Sequence, residues 1–178
     1  TQPDGKIVVA GYSWYDAQRA AFLVARFNSD GHFDNSFGDA GIFEGDLAGG
    51  RDVALALALA PDGKIVVAGY AMMNAHLVPA IMRLTNSGQL DNSFDGDGKT
   101  YVNFDSSSEA SAVVVRPDGK IIIGGSYGGN IFLQSLRQDG QPDAGFGGNP
   151  SGYTISELGG TEPLKALGRA SDGRLYAA

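Results

Sequence analysis

A chain of 178 residues with 43% hydrophobic side chains has enough apolar material for a packed core, which excludes a disordered segment. A formal charge of −7 and a pI near 4.6 argue against nucleic acid and anionic membranes as partners, because both demand clustered cations. The absence of cysteine excludes disulfides, thiolate catalysis and Cys-type zinc sites, and no apolar run approaches the roughly 20 residues of a membrane-spanning helix.

Pro3-Asp4-Gly5 opens the chain as a turn: Pro presets φ, Asp tolerates the next position, and Gly takes a positive φ on re-entry to a strand. Lys6 to Ala10 then reads as a strand buried on both faces, being β-branched and nearly continuous. A variable loop, Ser13 to Arg19, leads to a second strand at Ala21 to Phe27. The turn Asn28-Ser29-Asp30-Gly31 and a short third strand at Gly41 to Glu44 follow. Asp52 to Leu59 alternates large and small apolar residues, the pattern of a fourth strand with one bulky face.

The same order then repeats. Asp4 of the opening turn recurs as Asp62, Asp118 and Asp172, at intervals of 58, 56 and 54 residues. A period of this length marks a repeat architecture. The spacing divides the chain into repeats at 3–60, 61–116 and 117–170, with the start of a fourth at 171–178. The second repeat places strands at Ala80 to Leu84, Thr100 to Phe104 and Ala112 to Val115. The third places them at Ile131 to Leu136, Tyr153 to Ile155 and Leu164 to Leu167. No segment sustains a 3.6-residue period, so the chain is expected to be all-β, a β-propeller of four-stranded antiparallel blades. The variable loops Ser13 to Arg19, Ala71 to Pro79 and Ser126 to Asn130 fall at one point of the repeat and are expected to project from one face.

A second repeated pattern, Gly-x-x-Asp-x-x-Phe, gives Gly31/Asp34/Phe37, Gly88/Asp91/Phe94 and Gly140/Asp143/Phe146. The phenylalanine is expected to plug the space between repeats, and the aspartate to fold onto backbone amides of its own loop. The Pro-Asp-Gly-Lys-Ile-Val-Val-Ala-Gly run, the Arg before the middle turn, and Asp-Asn-Ser-Phe after it together resemble the delta-60 repeat of bacterial surface and secreted proteins. The third repeat departs from that pattern, with Ser135 where Arg26 and Arg83 stand and Asp143-Ala144-Gly145-Phe146 in place of Asp-Asn-Ser-Phe. The resemblance implies a propeller-like fold in an exported or surface-anchored protein, hence an extracellular location, and it implies no catalytic residues. The chain opens at a hairpin turn and stops inside the strand launched by the fourth copy. That pattern reads as a piece of a longer array. Two copies closing a six-bladed ring is the alternative, since propellers close with about four to eight blades.

Candidate chemistry is sparse. Asp95-Gly96-Asp97-Gly98 resembles an abbreviated calcium loop, with Asp91, Asn92 and Asp105 as further oxygen donors, although no glutamate falls at the twelfth position. A solvated Asp/Gly turn is the competing reading. Asp34, Asp91 and Asp143 invite comparison with a ring of acids suited to glycosidase work, but their repetition at one locus favours a structural role. His32 and His76 lie at non-equivalent positions without a metal-ligand pattern and read as exposed loop residues. The Gly124-Gly125-Ser126-Tyr127-Gly128-Gly129 run precedes a strand instead of a helix, which makes it a hairpin loop and not a phosphate cradle.

Trp14 and Tyr15, beside Asp16, Gln18 and Arg19, make the strongest candidate contact surface, suited to glycan or protein. Tyr12 and Tyr70, being equivalent, are expected to be structural. The sequence thus points to a non-catalytic propeller scaffold with loops available to a protein or glycan partner and no cofactor. The alternatives are a fragment of a propeller lyase or hydrolase with its site in the central channel, and a self-assembling module.

Overall fold

The computed structural model describes residues 1–156, 164–170 and 172–178. Its strands are β1 (Ile7–Trp14), β2 (Ala20–Phe27), β3 (Ile42–Gly45), β4 (Val53–Leu59), β5 (Ile65–Met73), β6 (His76–Leu84) and β7 (Lys99–Tyr101). They continue as β8 (Ser108–Val115), β9 (Ile121–Tyr127), β10 (Asn130–Leu136), β11 (Tyr153–Ser156), β12 (Leu167–Arg169) and β13 (Leu175–Ala177). The strand-to-strand ladders are antiparallel, and they build sheets β1-β2-β3, β4-β5-β6-β7, β8-β9-β10-β11 and β12-β13. The fold is all-β, a succession of blades that does not close on itself among the described residues.

The sheets are offset by one strand from the sequence period. β4 ends the first repeat but pairs with β5 of the second, and β8 pairs with β9 in the same way. The physical reason is local. Pro-Asp-Gly is a tight hairpin, so it joins neighbours in one sheet, while the sheet-to-sheet crossing falls between the third strand of a repeat and the fourth. In each copy the Gly amide donates to the carbonyl three residues back (Gly63 N to Ala60 O, 2.9 Å). The turn aspartate accepts from the Lys amide two residues on (Lys64 N to Asp62 Oδ1, 3.2 Å). Gly5, Gly63, Gly119 and Gly173 all hold φ between 78° and 90°, which an L side chain resists.

Two cores fill the spaces between sheets. Val8, Phe22 and Val24 of the first sheet, with Phe37 of the loop between β2 and β3, meet Ala54, Val67, Ala80 and Met82 of the second. The opposite face of the second sheet, with Val66, Ala68 and Ile81, meets Val113, Ile121, Ile123 and Phe132 of the third. Burial on both faces therefore holds for the first seven residues of β5 and the first five of β9. It does not hold for β1, where Ile7 and Val9 are 37% and 40% exposed because no sheet covers that face. The stretches expected as variable loops are also shorter than the sequence suggested. β5 runs on to Met73 and β6 starts at His76, leaving Asn74-Ala75 as a two-residue hairpin with positive φ at both. Gly128-Gly129 turns β9 into β10 likewise, and only Tyr15 to Arg19 remains a true loop. The Leu164 to Leu167 strand is displaced, β12 running from Leu167 to Arg169.

β4 and β8 carry a bulge at the same point, Ala54/Ala56 and Ala110/Ala112. Gly69 and Gly125 face these bulges. A Cβ there would lie 1.9 Å from Val53 O and 1.8 Å from Glu109 O. Gly11, their equivalent in β1, has nothing within 4 Å, because β1 is an edge with no bulged strand beside it.

Candidate functional site

The repeated aspartates come first, because they are the most chemically loaded groups in the fold. Asp34 starts in the loop after β2 and is buried, 6% exposed. Its Oδ2 takes Arg26 Nε at 2.7 Å and Lys6 Nζ at 2.9 Å. Its Oδ1 takes the Ser36 hydroxyl at 2.6 Å and the Ser36 amide at 3.1 Å. Asp91 repeats the arrangement with Arg83 (2.7 Å), Lys64 (3.1 Å) and Ser93 (2.7 Å). Asp143 keeps Lys120 at 2.7 Å, and Ser135 Oγ at 3.1 Å replaces the guanidinium.

These contacts hold the carboxyls ionised. The Ser36 hydroxyl, then Lys6, pull Asp34 well below the usual carboxylate range. Burial pushes Asp91 up, but Ser93, Lys64 and Arg83 outweigh it and leave the group well below that range. Asp143 is lowered chiefly by Lys120. A glycosidase acid needs the opposite shift. The expected fold-back onto the loop amide is present, but the Lys–Asp–Arg clasp around it was missed. A readable signal existed, since Arg26 and Arg83 each precede the aspartate by eight residues.

The arginine also ties one repeat to the next. Arg26 Nη1 donates to the Asn86 carbonyl, and Arg83 Nη1 to that of Gln138. Beneath them Gly38 N donates to Ser87 O (2.9 Å), and Asp95 N to Asp139 O (2.8 Å). Phe37 and Phe94 are fully buried, with the guanidinium of Arg26 or Arg83 4.7 Å and 4.6 Å above the ring. Each ring abuts the glycine of the next repeat's middle turn, Gly88 or Gly140. The plug expected between repeats is therefore present at Phe37 and Phe94, while Phe146 is only half-buried.

Asp95 and Asp97 do not share a task. Asp95 Oδ1 accepts from Gln141 Nε2, and Asp97 Oδ1 accepts from the Lys99 amide at 2.9 Å. Asp91 is bound in its clasp, and Asp105 accepts from the Tyr127 hydroxyl. Among the described residues no three His, Asp or Glu side chains converge as a cation site. The calcium reading thus gains no ligand set. His32 and His76 are exposed.

One buried carboxylate escaped the sequence reading. Asp52 is fully buried at the entrance to β4, and its Oδ2 accepts from Leu47 N (2.6 Å) and Ala48 N (3.1 Å). Its Oδ1 has no partner among the described residues. Burial raises its pKa despite the two amides.

The aromatic surface is as exposed as its sequence suggests, and larger. Trp14 is 48% exposed and Tyr15 57%. Tyr12, expected to be structural with Tyr70, is 46% exposed, whereas Tyr70 is buried at 9%. The difference follows from neighbours: Tyr70 pairs with Val53 of β4, and β1 has no such strand. Tyr12 meets Trp14 edge-on with centroids 5.7 Å apart, and the Arg51 guanidinium sits 5.0 Å over the indole. Tyr15 donates to Glu44 Oε2 at 3.2 Å and, with Arg19 and Asp46, lines a shallow hollow. This cluster mixes flat apolar area with both charge signs on a rigid hairpin, features suited to a binding surface.

No curated protein matches the chain. Among known families, residues 2–37, 60–94 and 116–146 match a domain of unknown function (DUF5122) beta-propeller. The three matched stretches begin at the three Pro-Asp-Gly turns and end at Phe37, Phe94 and Phe146, so the match takes in the repeated lysine, aspartate and phenylalanine of each repeat. The chain belongs to the DUF5122 beta-propeller family.

Proposed function

We propose that the chain is a non-catalytic propeller scaffold of a bacterial exported or cell-surface protein of the delta-60 repeat type, binding a protein or glycan through the Trp14 hairpin. The observation that carries this reading is the exposed Tyr12–Trp14–Tyr15 cluster with Arg51 over the indole. The aspartates offered by the competing lyase or hydrolase reading are clasped and held ionised, which supports structural duty. Trp14 is the sole tryptophan, so its fluorescence reports on that surface alone. Titration with a panel of polysaccharides and candidate surface proteins is expected to give a saturable change that Trp14→Ala and Tyr15→Ala abolish. Turnover of a polysaccharide or ester, lost on Asp34→Asn or Asp91→Asn, would overturn the reading.

A second reading, that further repeats or a second copy pack beside β1, has its own support. Ile7, Val9 and Phe33 are exposed, while their equivalents Ile65 and Val67 are fully buried and Leu90 is half-buried. Gly31 has open space where Gly88 and Gly140 meet a phenylalanine ring, and Gly11 retains the room that a bulged strand would need. A chain extended in front of Thr1 by a copy of residues 3–60 is expected to slow amide exchange across β1. Unchanged exchange there would count against it.

A further inference from the structure

Successive Pro-Asp-Gly turns face each other across a groove, and the two grooves are filled differently. Between repeats one and two, the Asn86 carboxamide lies at the Arg26 guanidinium. Its Oδ1 accepts from Arg26 Nη1 at 3.2 Å and from Gln2 Nε2 at 3.0 Å. Between repeats two and three, Ala60 stands where Gln2 does and Gln138 where Asn86 does. Ala60 is too short to reach across. Gln138 turns away, donating to Asp118 O at 2.7 Å and lying under Gly119, where a Cβ would come within 2.3 Å of it.

A cavity of about 350 Å³ is left, with Lys64 and Arg83 among its polar lining and Val66, Val115, Pro117 and Ile121 among its apolar walls. Such a volume lies at the small end of the usual range for ligand sites, and the mix of apolar wall with a few fixed polar groups is typical of them. Arg83 is 5% exposed. Its Nε and Nη2 are bound to Asp91 and Ser93, and its Nη1 to the Gln138 carbonyl. The Nη1 hydrogen bond that Arg26 makes to the Asn86 carboxamide has no counterpart on Arg83 among the described residues.

We propose that this cavity binds the carboxamide side chain of a glutamine or asparagine presented by a peptide, the group that Asn86 supplies internally one repeat earlier. The amide oxygen accepts from Arg83 Nη1, and the methylene groups lie against the apolar wall. A carboxylate fits less well. Lys64 already has Asp62 at 3.3 Å and Asp91 at 3.1 Å, so the local cations Lys64 and Arg83 are matched by two acids. A further anion would enter an already neutral, partly desolvated site.

The test is a titration of the full chain with acetyl-glutamine methylamide, followed by NMR of the Val66, Val115 and Ile121 methyls. Saturable shifts are expected, at least tenfold weaker with acetyl-glutamate methylamide at pH 7. Ala60→Gln, which puts the glutamine of the first groove's rim into the second and fills the space beside Arg83, is expected to abolish them. Asn86→Ala, which removes the carboxamide from Arg26, is expected to add a second set of shifts at Val8. The proposal is overturned if no saturable shift appears, if Ala60→Gln binds as the parent does, or if N-acetylglucosamine shifts the same methyls more tightly than the glutamine probe.

Discussion

The ring of Phe37 lies 2.9 Å from where a Cβ on Gly88 would be, although 51 residues separate the two in sequence. The contact is the point where one repeat plugs into the turn of the next, and it makes a glycine's identity depend on its neighbour as well as on its φ of +78°.

Gly88→Ala is therefore expected to cost more than Gly31→Ala. Both glycines hold a left-handed conformation, at about 1–2 kcal/mol for an L side chain. Only Gly88 adds a clash with a buried ring and with Gly38 N, for about 1–3 kcal/mol more. Chemical denaturation of the two variants checks this, and equal losses would remove the inter-repeat plug from the account.

Acid should loosen the fold through Asp34 and Asp91. Their carboxyls are harder to protonate in the fold than in the unfolded chain. The unfolded state therefore binds more protons in the acid range, and stability falls as pH falls. Their contribution is fully present above the ordinary aspartate pKa of about 4, and is lost as pH falls through the lower folded values. Asp52 acts with the opposite sign, since its raised pKa favours the proton in the fold. Thermal melts from pH 7 to pH 2 should show the decline, and Asp34→Asn with Asp91→Asn should flatten it.

Trp14→Ala is expected to leave stability within about 0.5 kcal/mol, the usual range for exposed positions. Arg51→Ala should alter the Trp14 emission, because the guanidinium lies over the indole. A loss of several kcal/mol at Trp14 would recast the aromatic cluster as part of the core.

What the sequence made legible was whatever depends on neighbours along the chain. Pro-Asp-Gly sets its turn through φ preferences of three adjacent residues, so the turns at Gly5, Gly63 and Gly119 stand where they were expected, and Gly173 closes the same turn bond in the worn fourth copy. Phe37 and Phe94 were legible as plugs because their spacing from the turn repeats. The arginine half of the clasp carried a signal in its constant eight-residue spacing from the aspartate, but the lysine half did not, because Lys6 and Asp34 are far apart in sequence and nothing local to either marks the other. The exposure of Ile7, Val9 and Tyr12 was illegible for a related reason. Their residues match those of buried copies, and only the sheet beside them differs. Asp52 looked like the first residue of an apolar strand, and its burial against the Leu47 and Ala48 amides depends on how the crossing between sheets folds back.

Arg83→Met is expected to destabilise by about 3–5 kcal/mol, because it leaves Asp91 buried with Lys64 as its remaining cation. Ser135→Arg in the third repeat should do little by comparison, since Lys120 already holds Asp143.

The most direct test of the claim that the repeated aspartate is a structural clasp is a double-mutant cycle between Arg83 and Asp91, read by chemical denaturation. The account expects Asp91→Asn to be costly alone and much less so beside Arg83→Met, giving a coupling of about 1–3 kcal/mol. Additive losses would contradict it, and would return Asp91 to the list of residues whose charge serves something other than the fold.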